Sequence, residues 1–250
     1  MKRHFPILAA GAGLVLATLV GVIATTWSAD AAGGKPRFAR PSYELARAGA
    51  TLDLTRYGSL ADARRIARLS ADDAACHDAL AAAGVSFIEL PGVHTRQGCG
   101  YNSAVMVKAS LTTWTSPEAL PMTCDLAARM HMWERHVVMP AAEKYFGSPL
   151  AEIQVFGTFE CRNVSGLDHL SEHAYGRAAD VSGFKLADGR VITVLDDYHA
   201  KGPKGEFLRE VHDRACDLFD VTLGPNYNAD HANHFHVDVG GDHAGEHACH

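Results

Sequence analysis

Hydrophobic and polar residues follow different patterns along this chain, and the first pattern is a long apolar run. Residues 5–27 carry no charge and follow the basic residues Lys2 and Arg3. In a helix rising about 1.5 Å per residue, such a run is long enough to cross a bilayer. Ala29-Asp30-Ala31 also offers the small residues of a signal-peptidase site. Residues 1–29 are therefore predicted to be a signal peptide or an N-terminal membrane anchor, which would make the inner membrane a partner only if the segment is retained.

The following residues lack any apolar periodicity, and a region of mixed periodicity begins after them. The stretch after Ser28 is rich in Ala, Gly, Pro and basic residues, a composition typical of linkers. We predict a linker over residues 30–68, a folded domain over residues 69–240 and a His-rich tail over residues 241–250. Because the N-terminal segment directs export, the domain is expected in the periplasm.

The domain pattern switches between helical and strand periods. Helix propensity and capping predict a helix from an N-cap at Ser70 to Ala83, with Gly84 after its end. A second helix is predicted from Thr123, with Pro140 kinking or restarting it. The remaining predicted elements are a helix over residues 207–219 and strands over residues 85–90, 153–161 and 190–195. This mixture predicts an α+β domain.

Charge and cysteine content restrict the possible partners and the compartment. A formal net charge of -6 gives no electrostatic reason to bind nucleic acid, so no nucleic-acid partner is expected. Six cysteines without a Cys-x-x-Cys pair favour disulfides in an oxidising compartment over a zinc ribbon. A bridge between Cys76 and Cys99 would stabilise the fold by about 3 kcal/mol, although the pairing stays open. The tail is expected to be mobile or fixed by a disulfide of Cys249.

Histidine is the unusual component, with 15 residues in the chain. In one segment, His173 and Asp180 lie seven positions apart with Gly176 and small residues between them, so the backbone can turn and bring both side chains to one cation. In a second segment, polar and apolar residues alternate from His234 to Val239, which predicts a strand. His234, His236 and Asp238 would share one face of that strand.

Three protein ligands with an open fourth position are typical of catalytic zinc. His173, Asp180 and His236 would supply the ligands of a Zn²⁺ cofactor. Zinc lowers the pKa of bound water to about 7, and a neighbouring base completes proton handling. His234 is the predicted base, and His231 is predicted to stabilise a developing oxyanion. The fold is then expected to be a small antiparallel sheet that carries the zinc site, with flanking helices and stabilising disulfides.

These motifs resemble a known group of zinc proteins. Ser-x-His-x-x-Gly-x-Ala-x-Asp followed by His-x-His is similar to the signature of the lysostaphin, D-Ala-D-Ala peptidase and hedgehog group. The spacing of His231, His234 and His236 resembles that of penicillin-insensitive murein endopeptidases, whose last His is a ligand and whose preceding His residues act in catalysis. This resemblance implies hydrolysis of amide bonds in peptidoglycan stem peptides.

From about Ala75 to Asp238 the chain more specifically resembles the bacterial extensin-like C-terminal domain family. The resemblance is carried by Cys99-Gly100, Thr123-Cys124, Cys161-Arg162, SEHAYGRAAD and Leu223-Gly224-Pro225. Arg162 lies eleven residues before His173, where D-Ala-D-Ala peptidases often carry an Arg that polarises a carbonyl, although the surrounding residues differ. Arg162 is therefore a further predicted catalytic residue.

Other interpretations of the same residues stay open. His169-Leu170-Ser171-Glu172-His173 also fits H-x-x-E-H, in which two His residues on one helical turn bind zinc and Glu172 is the base. Alternatively, the domain binds or organises the cell wall without turnover, since hedgehog proteins are not known as peptidases, or it is a disulfide-stabilised domain without metal. Asp196 and Asp197 are interpreted as a solvated turn. Structural roles are expected for His77, His94, His131, His136, His199 and His212.

Overall fold

The computed structural model describes residues 52–56, 66, 72–240 and 248–250, all of which belong to one compact unit, Ala39–His250. The predicted export segment, residues 1–29, lies outside the described residues. Within the described part of the chain, no helix is long and apolar enough to cross a membrane. Leu54 and Ile66 fall inside the predicted linker, yet both are buried in the hydrophobic core.

The helices begin and end at residues whose local chemistry explains them. Helix α1 (Asp73–Ala82) is capped by Asp72, whose side chain accepts a hydrogen bond from the Ala75 amide, so the predicted cap at Ser70 is wrong. The predicted second helix begins where expected, after Thr123. It consists of α2 (Cys124–Trp133), a π-helical turn (Glu134–Val138) and α3 (Met139–Phe146), with Pro140 in the first turn of α3. Two further helices are α4 (Val194–Asp197) and α5 (Pro203–Ala215).

Two sheets make up the rest of the domain. The strand bounds are β1 (Ser86–His94), β2 (Gly100–Ala109), β3 (Thr113–Thr115), β4 (Pro121–Met122), β5 (Leu150–Gly157), β6 (Ala178–Leu186), β7 (Val191–Thr193), β8 (Val221–Leu223), β9 (Phe235–Asp238) and β10 (Ala248–Cys249). The smaller sheet has the order β1-β2-β4, and the larger one has the order β10-β8-β9-β6-β5-β3, with β7 paired to β6.

This architecture confirms the predicted α+β class but differs in the sheet. The larger sheet has seven strands and is mixed, because β3 pairs with β5 and β10 pairs with β8 in parallel. The prediction of a small antiparallel sheet is therefore wrong at both edges. Between those edges, β5, β6, β9 and β8 pair antiparallel, and this central part carries the candidate site.

The helices cover one face of the larger sheet through aromatic packing. The Trp133 ring of α2 lies edge-on to Phe184 of β6 and to Phe219, and its indole nitrogen donates to the Val211 carbonyl of α5. These side chains are almost fully buried. Burying large aromatic surfaces is the main favourable contribution to such a core. The layer stabilises the larger sheet from this face.

Three disulfides join distant elements of the described chain: Cys76–Cys124, Cys99–Cys161 and Cys216–Cys249. The bridge between Cys76 and Cys99 considered from the sequence is therefore wrong, because Cys76 faces the start of α2 instead. Cys216–Cys249 fixes β10 beside β8, which confirms the alternative in which a disulfide holds the tail. The three bridges indicate an oxidising, exported compartment.

Several element boundaries differ from the predicted ones for local reasons. The strand predicted to reach Cys161 ends at Gly157, and the extended segment predicted to reach Leu195 stops at Thr193. Thr193 caps α4, where Asp197 accepts hydrogen bonds from the Thr193 amide and the Lys204 ammonium group. This contact supports the structural interpretation of the acidic pair.

Candidate metal centre

Three side chains that the sequence singled out lie at neighbouring points of the central sheet. His173 lies in a 3₁₀ turn, Glu172–Tyr175, whose start is capped by the Ser171 hydroxyl. The turn ends at Gly176, whose φ of 66° favours glycine and whose missing Cβ leaves room for the Tyr101 ring. The chain then enters β6, which carries Asp180. This short turn explains how the side chains of His173 and Asp180 come close together.

Strand pairing brings the third side chain to the same place. Asp180 of β6 is directly opposite His236 of β9 in the antiparallel register. Residues opposite each other in such a pair project from the same face of the sheet. The predicted alternation is confirmed over Phe235–Asp238, since Phe235 and Val237 are fully buried on the other face, whereas His234 precedes the strand.

The three side chains converge on one point. His173 Nε2 lies 3.1 Å from Asp180 Oδ1 and 3.2 Å from His236 Nδ1, and His236 Nδ1 lies 3.0 Å from Asp180 Oδ1. One atom from each residue is thus within reach of a single cation, and the three residues form a group that could hold a metal ion. Nitrogen and carboxylate oxygen donors of this kind suit divalent transition metals.

The outward-facing nitrogen of each imidazole has its own hydrogen-bond partner. His173 Nδ1 donates to the Thr158 carbonyl oxygen at 2.7 Å, and His236 Nε2 donates to Asp238 Oδ2 at 3.0 Å. A neutral imidazole carries one N–H, so these two contacts leave His173 Nε2 and His236 Nδ1 as lone-pair donors toward the centre. Metal-binding histidines characteristically have such partners.

The charges around the centre favour an ionised carboxylate. Burial alone would raise the pKa of Asp180, but the hydrogen bonds to His173 and His236 outweigh burial and hold the pKa far below its usual range. Burial likewise opposes charge on His236, yet its contacts with Asp180 and Asp238 raise its pKa to about 9. Asp180 also lies 3.6 Å from Arg162 Nη2. The centre therefore attracts positive charge.

The two further histidines lie beside this group. His234 Nδ1 donates to Asn233 Oδ1 at 2.8 Å, and its Nε2 lies 3.4 Å from Asp180 Oδ1. His231 Nδ1 donates to Asn228 Oδ1, which also accepts the backbone amides of Asp230 and His231, so the direction of that amide oxygen is fixed. His231 thus keeps Nε2 as an acceptor while the ring is neutral.

Both of these histidines are held in the neutral form near neutral pH. Burial, followed by the neighbouring His236 and His234, lowers the pKa of His231 to about 4. Burial also lowers the pKa of His234, although Asp180 opposes that effect. A neutral His234 can accept a proton through Nε2, as a general base must.

A cleft of about 560 Å³ opens beside the candidate metal centre. Arg162, His231, His234 and His236 line it together with apolar residues such as Leu167. Arg162 follows Cys161, whose disulfide to Cys99 ties this wall to the start of β2, and its Nε donates to Glu160. Of the three convergent donors, His236 lines the cleft, so a molecule bound in the cleft would lie beside the centre.

Residues 74–250 match the family described as Extensin-like protein C-terminus. The chain belongs to this family. The match covers α1 after its first residue, both sheets and the whole candidate centre of the extensin-like domain. Searches of the curated proteins and of the solved structures found no significant match.

The extensin-like domain brings together every site residue that the sequence proposed: His173, Asp180, His236, His231, His234 and Arg162. The alternative H-x-x-E-H site is not formed. Asn163 pairs with Leu170 across an antiparallel bridge, and the turn that contains His173 begins only at Glu172, so His169 does not share a helical turn with His173.

Two contacts of the extensin-like domain escaped the sequence analysis. The hydrogen bond from His173 to the Thr158 carbonyl could not be predicted from the sequence, since any residue supplies a backbone oxygen. Asp238 was placed on the face of His236 but received no role. A carboxylate two positions after a metal-binding His on a strand was the available signal, because such residues project side by side.

Proposed function

We propose that this protein is a zinc-dependent hydrolase that cleaves amide bonds of peptidoglycan stem peptides in the periplasm. The observation that carries the proposal is the convergence of His173, Asp180 and His236 beside a cleft that is lined by two further histidines. Three protein ligands and an accessible side are the arrangement of catalytic zinc, whereas structural zinc has four protein ligands.

The donor set fits zinc. Two imidazole nitrogens and one carboxylate oxygen are ligands that tetrahedral zinc accepts, and the hydrogen bonds to Thr158 and Asp238 already orient both rings. When bound, zinc would act as a Lewis acid toward a carbonyl and lower the pKa of a water molecule to about 7. The residues around it would perform the proton transfers and the orientation of the substrate.

His234 is placed to move a proton. Its Nδ1–H is engaged by Asn233, so Nε2 can take a proton on the side of Asp180, whose carboxylate then stabilises the resulting cation at 3.4 Å. The same Nε2 can return that proton to a leaving amine. This assignment makes His234 the general base and acid of the reaction.

Arg162 and His231 serve the substrate carbonyl in this proposal. Arg162 presents its guanidinium to the cleft and is anchored by Glu160, so its remaining N–H groups can donate to an oxyanion. His231 can donate from Nε2 only when its ring carries both protons, because Asn228 holds its Nδ1–H. Arg162 therefore supplies the stronger oxyanion contact near neutral pH.

The peptidoglycan substrate rests on the resemblance of the His231, His234 and His236 spacing to murein endopeptidases. The three disulfides support an exported protein, as an enzyme that acts on the cell wall would have to be. A site that binds metal without turnover would instead fit a cell-wall binding domain. One set of variants separates these two functions.

The test combines metal analysis with digestion of purified peptidoglycan. The wild-type chain is expected to contain one zinc per molecule and to release new peptide fragments, detected by mass spectrometry, that disappear with a chelator. His234→Ala should retain zinc and release no fragments, while His199→Ala, at an exposed histidine outside the site, should behave as wild type. Zinc without fragments in the wild type would favour the binding domain, and absence of zinc would overturn the proposal.

A further inference from the structure

Asp238 is a buried carboxylate that no proton-transfer step of the proposed reaction uses. It is only 5% exposed and lies on β9, directly after Val237 and two residues after His236. The backbone of β9 is paired on both sides at this point, with Ala178 of β6 and with Val221 of β8. Asp238 is therefore held by the centre of the sheet.

Both carboxylate oxygens of Asp238 have defined hydrogen bonds. Oδ2 accepts the Nε2–H of His236 at 3.0 Å, and Oδ1 accepts the backbone amide of Gly240 at 2.9 Å. Because Gly240 fixes one oxygen, the carboxylate cannot turn away from His236 without losing a bond. The second oxygen thus selects one tautomer of His236, with the proton on Nε2 and the lone pair on Nδ1.

A comparison with His173 suggests that this contact does more than orient the ring. The outer nitrogen of His173 donates to a neutral carbonyl, which is sufficient for orientation. The outer nitrogen of His236 donates to a carboxylate instead. A carboxylate accepts stronger hydrogen bonds than a neutral carbonyl, and as a partner it raises the basicity of a ligating imidazole.

We propose that Asp238 is a positioning residue that holds His236 with Nδ1 directed at the metal and strengthens metal binding through the imidazole. The inference rests on the proposed function in one respect, namely that this centre binds a metal. Outer partners of this kind typically change metal affinity by about 10- to 100-fold. The role of Asp238 is independent of the substrate and of the scissile bond.

The test measures zinc affinity of the full chain by competition with a chromophoric chelator. Asp238→Ala is expected to weaken zinc binding by about 10- to 100-fold. Asp238→Asn should lose less, because an amide can still accept one of the two hydrogen bonds. The matched control is Asp125→Asn, since Asp125 is also 5% exposed but its carboxylate pairs with Arg129 and not with a ligand histidine, and it should bind zinc as the wild type does.

A second measurement reports orientation directly and needs no variant. In the zinc-loaded wild type, ¹⁵N NMR is expected to show His236 bound through Nδ1 and protonated at Nε2. Binding through Nε2 would overturn the inference, as would equal zinc affinity of the wild type and both Asp238 variants. If either of these results is found while the wild type binds zinc tightly, the proposed hydrolase function still stands. A wild type that binds no zinc refutes both the role of Asp238 and the proposed function.

Discussion

Removing the Cys216–Cys249 disulfide should destabilise the domain by an amount that follows from its position. The two cysteines are 33 residues apart, and the closed loop contains β8, β9 and the three histidines His231, His234 and His236. In the chain-entropy model, opening a loop of this size gives the unfolded chain about 4 kcal/mol of additional freedom at 25 °C. The variant replaces both cysteines by Ala, so that no free thiol remains.

Urea unfolding is the appropriate assay, and a second variant separates the covalent link from the contacts of β10. The double variant should lose about 4 kcal/mol of unfolding free energy. Tyr227→Leu keeps the bridge and removes the ring contacts of Tyr227 with His250, at 5.5 Å between centroids, and with His231, at 5.6 Å, so its loss should be about 1 kcal/mol. Equal losses in the two proteins, or a loss below about 1 kcal/mol in the double variant, would refute the entropic argument.

The other predictions concern acid and metal. Burial, followed by the charges of Arg135 and His136, lowers the pKa of His131 to about 4, whereas its pKa in the unfolded chain is about 6.5. The folded state is therefore not penalised by this residue above pH 6.5, and the free energy of unfolding falls by about 3 kcal/mol as the pH drops to 4. Urea unfolding of His131→Gln between pH 7.5 and 4.5 should show a shallower acid loss than the wild type, and an identical loss would contradict the argument. Zinc at about 100 times its Kd should raise the unfolding free energy by about 2.7 kcal/mol. Calorimetry should show this gain in the wild type and not in Asp180→Ala, while the chelated wild type still unfolds cooperatively, and a gain in both proteins would place the zinc elsewhere.

Local sequence signals were sufficient for the parts of the fold that depend on neighbouring residues. The helix after Thr123, the glycine that ends α1 at Gly84 and the strand of His236 were all predicted, because helical spacing, glycine freedom and alternation act over a few positions. The candidate metal residues were found for the same reason. Each half of the motif lies within one short segment, and ligand chemistry restricts the residue types.

Features that depend on distant residues could not be predicted in this way. Cys76 pairs with Cys124, although Cys99 is nearer in sequence, because the start of α2 packs beside α1 in the folded domain. Strand β2 was missed because its burial alternates only in part, so its pattern is weak. The parallel edges of the larger sheet depend on pairings across long stretches of chain. Propensity and periodicity contain no information about such pairings.

The alternation of β9 ties the chemistry of this protein to its stability. Phe235 and Val237 enter the core from one face, while His236 and Asp238 project from the other. A slip of one residue in this strand would turn all four side chains over at once. An error in strand register would thus remove Phe235 and Val237 from the core and at the same time move His236 away from the centre. Because the loss of two core residues destabilises the fold, a chain with a misplaced metal ligand would not reach the folded state.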